Sequence, residues 1–160
     1  MRILGIDPGF ERVGIAILEK NKGDKKEQVL YSDCFKTSAK IPFSERLVLI
    51  GQEVKKIIEE YDPEVLSIET LFINTNQKTA MHVAEARGVI IYLAAASKLS
   101  VFEASPSQIK MATTGYGSAS KEQMMKMVKI LVDIDKSKKS DDELDAIAIA
   151  LTAFAHIKNI

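Results

Sequence analysis

Short apolar runs near the start of the chain predict neighbouring β-strands. Residues 2–7 and 12–18 are rich in Ile, Val, Leu and Ala, and the tight-turn sequence Pro8-Gly9 lies between them. A third such run covers residues 28–36, after a polar stretch with turn-forming residues. The first 36 residues therefore predict a three-stranded meander.

Helical spacing of apolar residues follows this meander. Apolar side chains recur every three or four residues from Phe43 to Tyr61. Asp62-Pro63 ends the predicted helix, because the residue before a proline disfavours the helical region. Residues 65–68 then predict a short central strand that ends at Glu69.

The second half of the chain predicts helices and one further strand. Asn74-Thr75-Asn76 offers N-caps for a long helix, and Val101-Phe102 predicts the fifth strand. Three helices follow, each with a serine at its predicted N-cap: Ser105 before Pro106, Ser120 with Gln123, and Ser140 with Glu143. The order βββαβαβ followed by helices predicts an α/β fold, a mixed sheet flanked by helices.

Composition limits the class of protein. A chain of 160 residues fits one domain covering 1–160, and 46% hydrophobic with 28% charged residues argues against disorder. The lone Cys34 excludes an internal disulfide framework and suits a reducing compartment, so we expect a cytoplasmic protein. The first apolar run is interrupted by Asp7 and is too short for a signal peptide or a membrane span.

Charge is balanced over the chain but not along it. The 22 basic residues equal the 22 acidic ones, so net charge indicates no nucleic-acid partner. Between Lys98 and Lys139, however, basic residues outnumber acidic ones. A solvated surface is the usual meaning of such a segment, and a surface that faces a polyanion is the alternative.

Carboxylates follow or begin apolar elements in three places. Asp7 ends the first strand, Glu69 ends the central strand, and Asp142 and Asp145 precede the apolar part of the last helix. Asp7 before Pro8 could be a turn former, and acidic residues in the first turn of a helix interact favourably with its dipole. Spacing alone does not choose between Asp142 and its neighbour Asp141.

Taken together, these carboxylates suggest a metal centre. Central strands of one sheet could bring Asp7 and Glu69 side by side, and the start of a helix could add two more carboxylates. Four like charges in one site would repel strongly, and divalent cations would remove that conflict. Oxygen ligands suit magnesium or manganese, and two such ions could promote hydrolysis of a phosphodiester.

Four motifs resemble the RuvC family of Holliday-junction resolvases, in order and over essentially the whole chain. They are Gly5-Ile6-Asp7-Pro8-Gly9 with Gly14, Ile68-Glu69-Thr70-Leu71-Phe72, Glu85-Ala86-Arg87-Gly88, and Asp142-Glu143-Leu144-Asp145-Ala146. The resemblance implies a ribonuclease H-like fold with a five-stranded mixed sheet flanked by helices. It also implies a homodimer that cleaves four-way DNA junctions on two opposing strands.

The resemblance assigns further roles. It implies that Asp7, Glu69, Asp142 and Asp145 are the catalytic carboxylates and bind two Mg²⁺ ions, for which Mn²⁺ is expected to substitute. It prefers Asp142 over Asp141. The branch-migration proteins RuvA and RuvB are the partners it implies.

Three residues are candidate DNA contacts. Phe72 either packs in the core or stacks on an unpaired base at the branch point, and the resemblance supports stacking. Lys110 and Lys121 match positions where the family places basic residues near the active site, although each could be a solvated surface charge. The second predicted helix supplies our candidate dimer surface, with small or apolar residues at Ala84, Gly88, Ile91 and Ala95.

Two other classes of protein compete with this interpretation. An actin-like ATPase or sugar kinase also carries a phosphate loop like Asp7-Pro8-Gly9, but it needs a second lobe and a second such loop. The sequence has no other Asp-x-Gly. A non-catalytic junction-binding module predicts the loss of a carboxylate, whereas all four are present.

Overall fold

The computed structural model describes residues 1–71, 77–132, 134 and 139–157, with no description of the side chains of 77 and 78. The strands are β1 (Arg2–Asp7), β2 (Arg12–Glu19), β3 (Gln28–Lys36), β4 (Val65–Glu69) and β5 (Ser100–Ala104). The helices are α1 (Phe43–Tyr61), α2 (Gln77–Ala96), α3 (Pro106–Thr114), α4 (Lys121–Leu131) and α5 (Asp141–His156). This order agrees with the predicted one.

The strands form one mixed sheet in the order β3-β2-β1-β4-β5. Antiparallel pairing joins β1 to β2 and β2 to β3, which confirms the predicted meander. Parallel pairing joins β1 to β4 and β4 to β5. The fifth strand is longer than the predicted Val101-Phe102, because its pairing with β4 extends from Ser100 to Ala104.

Alternating side chains divide the core between the two faces of the sheet. On one face Ile3, Ala16 and Val65 pack with α5. On the other face Leu4 and Ile6 pack with residues of α1 and α2. Helix α5 is buried on nearly every side from residue 146 to residue 154, as expected for a helix that is apolar all round.

Helix starts in the second half follow the predicted local chemistry. At α3, α4 and α5, the side chains of Ser105, Ser120 and Ser140 accept hydrogen bonds from the third helical residue, and each capping box is complete. The predicted caps at Asn74-Thr75-Asn76 lie outside the described residues. Across the described ranges, every helix is too short or too polar to span a bilayer.

Two glycines let α5 lie directly on the backbone of the sheet. A Cβ atom at Gly5 would overlap the carbonyl oxygen of Ala146, and one at Gly14 would overlap the carbonyl oxygen of Asp142. A Cβ at Gly14 would also lie 3.2 Å from the Cβ of Asp7. This close approach brings the first turns of α5 to the end of β1.

Candidate active site

Strand register places Asp7 and Glu69 side by side. In the parallel pair β1–β4, Ile6 is opposite Ile68, and the next residues along the two strands are Asp7 and Glu69. Side chains alternate along a strand, so Asp7 shares a face with Ile3 and Glu69 shares one with Ser67. The Ser67 hydroxyl donates to the carbonyl oxygen of Ile149 on α5, at 2.7 Å. Both carboxylates therefore face α5.

Helix α5 adds Asp142 and Asp145 to this end of the sheet. The negative charges of Asp145, Glu69 and Asp142 all act on Asp7. The charge of Asp145 also acts on Glu69. The side chain of Asp141 is 71% exposed, compared with 22% for Asp142. The four predicted carboxylates therefore lie in one electrostatically coupled group.

Burial and mutual repulsion disfavour negative charge at three of these carboxylates. Burial is the main cause that raises the pKa of Asp7 to about 7, and the charges of Asp145, Glu69 and Asp142 raise it further. Burial, followed by the charge of Asp145, raises the pKa of Glu69. Burial also raises the pKa of Asp145, against the opposing effect of Lys121.

Asp142 is held differently, by Arg12 and Cys34. Arg12 donates from Nε at 3.0 Å and from Nη2 at 2.5 Å to the same oxygen, Oδ2 of Asp142. The Cys34 thiol donates to that oxygen at 3.5 Å. Burial acts to raise the pKa of Asp142, but these hydrogen bonds and the charge of Arg12 lower it overall.

Lys121 and Lys110 border the same site. Both lysines line a cavity of about 250 Å³, together with Glu69 and Asp145. Lys121 Nζ donates to Asp145 Oδ2 at 3.0 Å. Burial acts to lower the pKa of Lys121, but the hydrogen bond and charge of Asp145 raise it overall.

Arg87, on α2, contacts the end of β4. Its Nε donates to the carbonyl oxygen of Glu69 at 3.0 Å, and its Nη2 pairs with Glu103 on β5. Arg87 therefore connects α2 to the strand that carries Glu69.

The structure brings together six of the seven residues predicted from the sequence. They are Asp7, Glu69, Lys110, Lys121, Asp142 and Asp145. The seventh, Phe72, lies outside the described residues. Sequence reasoning missed Arg12 and Cys34. The period of two along the strands could have indicated them, because Arg12 shares a face with Gly14, and Cys34 is opposite Gly14 in the β2–β3 pair.

The chemistry of the site fits hard divalent cations, although its side chains are not gathered around one point. Four carboxylates supply oxygen ligands of the kind that Mg²⁺ prefers. In the part of the chain that the structure describes, no three Asp, Glu, His or Cys side chains form a group that could hold a metal ion. Asp142 pairs with Arg12 and Asp145 pairs with Lys121. Two of the four carboxylates thus have cationic partners within the chain.

Comparison with known proteins identifies the family. The family model described as "Crossover junction endodeoxyribonuclease RuvC" matches residues 3–153. A protein of that description from Desulfitobacterium hafniense is 42% identical over 160 residues, which cover 100% of this chain and 95% of the relative. One from Finegoldia magna is 43% identical over 151 residues, 94% of this chain and 91% of the relative.

Solved structures of Holliday junction resolvases are also similar to this chain. The RuvC of T. thermophilus, in complex with a Holliday junction substrate, has a TM-score of 0.90 and is 30% identical, covering 96% of this chain and 93% of that one. The yeast mitochondrial Holliday junction resolvase Ydc2 has a TM-score of 0.71 at 18% identity, covering 94% of this chain and 76% of that one, and it shares the fold.

The fold is of the ribonuclease H-like class, as the family resemblance in the sequence implies. The chain belongs to the RuvC family and is a crossover junction endodeoxyribonuclease.

Proposed function

We propose that this enzyme resolves Holliday junctions by metal-dependent hydrolysis of one phosphodiester in each of two opposing DNA strands. The observation that carries the proposal is the coupled group of Asp7, Glu69, Asp142 and Asp145 at one end of the sheet. Such a concentration of carboxylates is unfavourable, and because Arg12 and Lys121 pair with only two of the four, bound cations would stabilise the group further. The T. thermophilus relative supports the choice of substrate, because its structure contains a Holliday junction.

Each carboxylate has a defined role in this proposal. Asp7 is central, since the other three act on its charge, and we assign it as the ligand shared by two metal ions. Glu69, Asp142 and Asp145 complete the two ligand sets. Mg²⁺ is the expected cofactor, with Mn²⁺ as its substitute. When bound, such cations would supply activation of water and stabilisation of the leaving oxygen.

Basic and aromatic side chains would hold the DNA. Lys110 and Lys121 line the cavity beside Glu69 and Asp145, where a phosphate would replace the internal carboxylate partner of Lys121. Phe72, three residues after Glu69 in the sequence, is proposed to stack on an unpaired base at the branch point.

Paired cleavage requires two sites, and α2 offers the surface for a homodimer. Along α2 the buried residues Ala86, Ile90 and Ala94 face the core. The other side of the helix is exposed and includes three of the four predicted positions (Ala84, Gly88 and Ala95) with Met81 and Tyr92. The fourth, Ile91, is partly buried and packs against the core. A two-fold dimer on this surface would match the approximate two-fold symmetry of a four-way junction.

The dimer surface predicts the effect of a charge at Tyr92. Tyr92 is 70% exposed. Tyr92→Asp should convert the dimer to a monomer, because two buried carboxylates would then meet across the two-fold axis. Light scattering after size-exclusion chromatography measures the mass. Tyr116→Asp is the matched control, since Tyr116 is 66% exposed on the α3–α4 connection and should leave the dimer intact. A dimeric Tyr92→Asp would contradict this choice of surface.

Incubation with a labelled mobile four-way junction tests the function directly. With Mg²⁺ we expect symmetric nicks in two opposing strands, no comparable cutting of a matched linear duplex, and no cutting in chelator. Equal cleavage of junction and duplex would reject structure selectivity. Cleavage that persists in chelator would reject metal dependence.

We also propose protein partners, a domain extent and a location. RuvA and RuvB are proposed partners through the family. One nuclease domain over 1–160 and a cytoplasmic location are proposed from length and from the single Cys34.

A further inference from the structure

Arg12 donates two hydrogen bonds to one of the four carboxylates, Asp142. Two N–H groups of one guanidinium converge on Oδ2 of Asp142, at 3.0 Å and 2.5 Å. The Cys34 thiol reaches the same oxygen at 3.5 Å. An arginine therefore already pairs with Asp142, one of the proposed metal ligands, in this structure.

The sheet dictates this contact. Arg12 is the first residue of β2 and lies two residues before Gly14, so its side chain leaves the sheet on the face that α5 covers. Gly14 is in turn opposite Asp7 on one side and Cys34 on the other. Because Gly14 has no Cβ, the backbone of Asp142 lies directly on this row. Arg12 and Asp142 are brought together although 130 residues separate them in the sequence.

A cation bound by Asp142 would compete with Arg12 for the same carboxylate. Positive charges repel each other at close range, so the guanidinium and a divalent ion cannot both lie against one oxygen without a large cost. Arg12 is 51% exposed and can leave Asp142 by rotating its side chain into solvent. A freed guanidinium presents a planar fork of donors that matches a phosphate.

We propose that Arg12 is a positioning residue that holds Asp142 when no metal is bound and, once a cation displaces it, binds a phosphate of the DNA strand beside the site. This rests on the proposed function. Arg12 then couples the two binding events, because cation binding frees a DNA contact and DNA binding removes a competitor of the cation. Such coupling is reciprocal, because each ligand raises the affinity for the other by the same factor.

The first test measures Mn²⁺ affinity of the full chain without DNA, by titration calorimetry. Arg12→Gln should bind Mn²⁺ about five- to tenfold more tightly than wild type, a factor typical of coupling between sites. Arg12→Lys should lie between them, because lysine keeps the charge but loses the two-donor contact. Unchanged or weaker Mn²⁺ binding in Arg12→Gln would overturn the proposal, provided that thermal melting shows a folded protein.

Arg2→Gln is the matched control. Arg2 of β1 pairs with Glu19 of β2 at 2.8 Å, at the end of these strands that lies opposite the site. The side chain of Arg2 is 40% exposed. That variant also removes an arginine from an ion pair with a carboxylate, but it should leave Mn²⁺ affinity unchanged. A similar gain in Arg2→Gln would show that net charge, rather than competition at Asp142, causes the effect, and would overturn the proposal.

The second test measures junction affinity by fluorescence anisotropy, in chelator and with Ca²⁺. In wild type, Ca²⁺ should raise the affinity for the junction. In Arg12→Gln this increase should be smaller, by the same factor by which that variant gains Mn²⁺ affinity in the first test. If Ca²⁺ raises the junction affinity of Arg12→Gln as much as that of wild type, the proposed contact of Arg12 with a phosphate is wrong. Absence of cation binding in wild type would overturn both this proposal and the proposed function. Cation binding without junction cleavage by wild type would reject only the function.

Discussion

Replacing Asp7 with asparagine should reduce magnesium-dependent junction cleavage by about a thousandfold or more, since metal ligands contribute several kcal/mol of transition-state stabilisation. Asparagine keeps the shape of the side chain but removes the charge to which Glu69, Asp142 and Asp145 are coupled. Junction binding, measured by gel shift or anisotropy, should change little. Single-turnover cleavage of a labelled junction measures the loss.

The neighbouring Asp141 provides the control for this prediction. Asp141→Asn removes the same charge at the edge of the site, from a side chain that is 71% exposed. It should cleave within about threefold of wild type, as expected for a surface carboxylate outside the reacting group. Wild-type cleavage by Asp7→Asn would reject the assignment of Asp7. Severe loss in Asp141→Asn would move the α5 ligand from Asp142 to Asp141.

Asp7 should also make the metal-free protein less stable as pH rises. Its folded-state pKa of about 7 lies above the ordinary value of 3.8, so the folded state binds this proton more tightly than the unfolded state. The resulting stabilisation is complete below about pH 3.8 and is lost as pH rises through about 7. Between these values the free energy of unfolding changes by at most about 1.4 kcal/mol for each pH unit, so the total loss approaches about 4 kcal/mol.

Urea unfolding in chelator at pH 5, 6, 7 and 8 measures this effect. The stability of Asp7→Asn relative to wild type should increase from pH 5 to pH 7 and level off by pH 8, because the variant has no carboxyl group to ionise. Saturating Mg²⁺ should remove much of the difference at pH 8 by stabilising wild type. A relative stability that stays constant with pH would show that Asp7 does not titrate in this range. Asp141→Asn is again the control and should differ little from wild type.

The balance of charge in the site differs from the expectation. The sequence predicts that divalent cations relieve the repulsion among the four carboxylates. The structure adds two cations of the chain itself, because Arg12 pairs with Asp142 and Lys121 pairs with Asp145. The pKa of Asp7 is nevertheless raised to about 7, first by burial and then by the charges of the neighbouring carboxylates.

Local chemistry fixed much of the fold at the level of sequence. Ser105, Ser120 and Ser140 start helices as predicted, because a capping box requires only residues three positions apart. The alternation of side chains along β1 and β4 likewise directs Asp7 and Glu69 to one face. Four motifs, taken together and in order along the chain, indicate the family without any coordinates.

The sequence by itself determined the order of strands and helices, the family and the four acidic candidates, because these depend on short-range spacing and on motifs. Tertiary structure alone decided which charges meet. The pairing of Arg12 with Asp142 joins residues 130 positions apart, and it depends on how closely α5 approaches the backbone at Gly14. No local pattern encodes that distance, since it results from the packing of a helix against two strands formed at the other end of the chain.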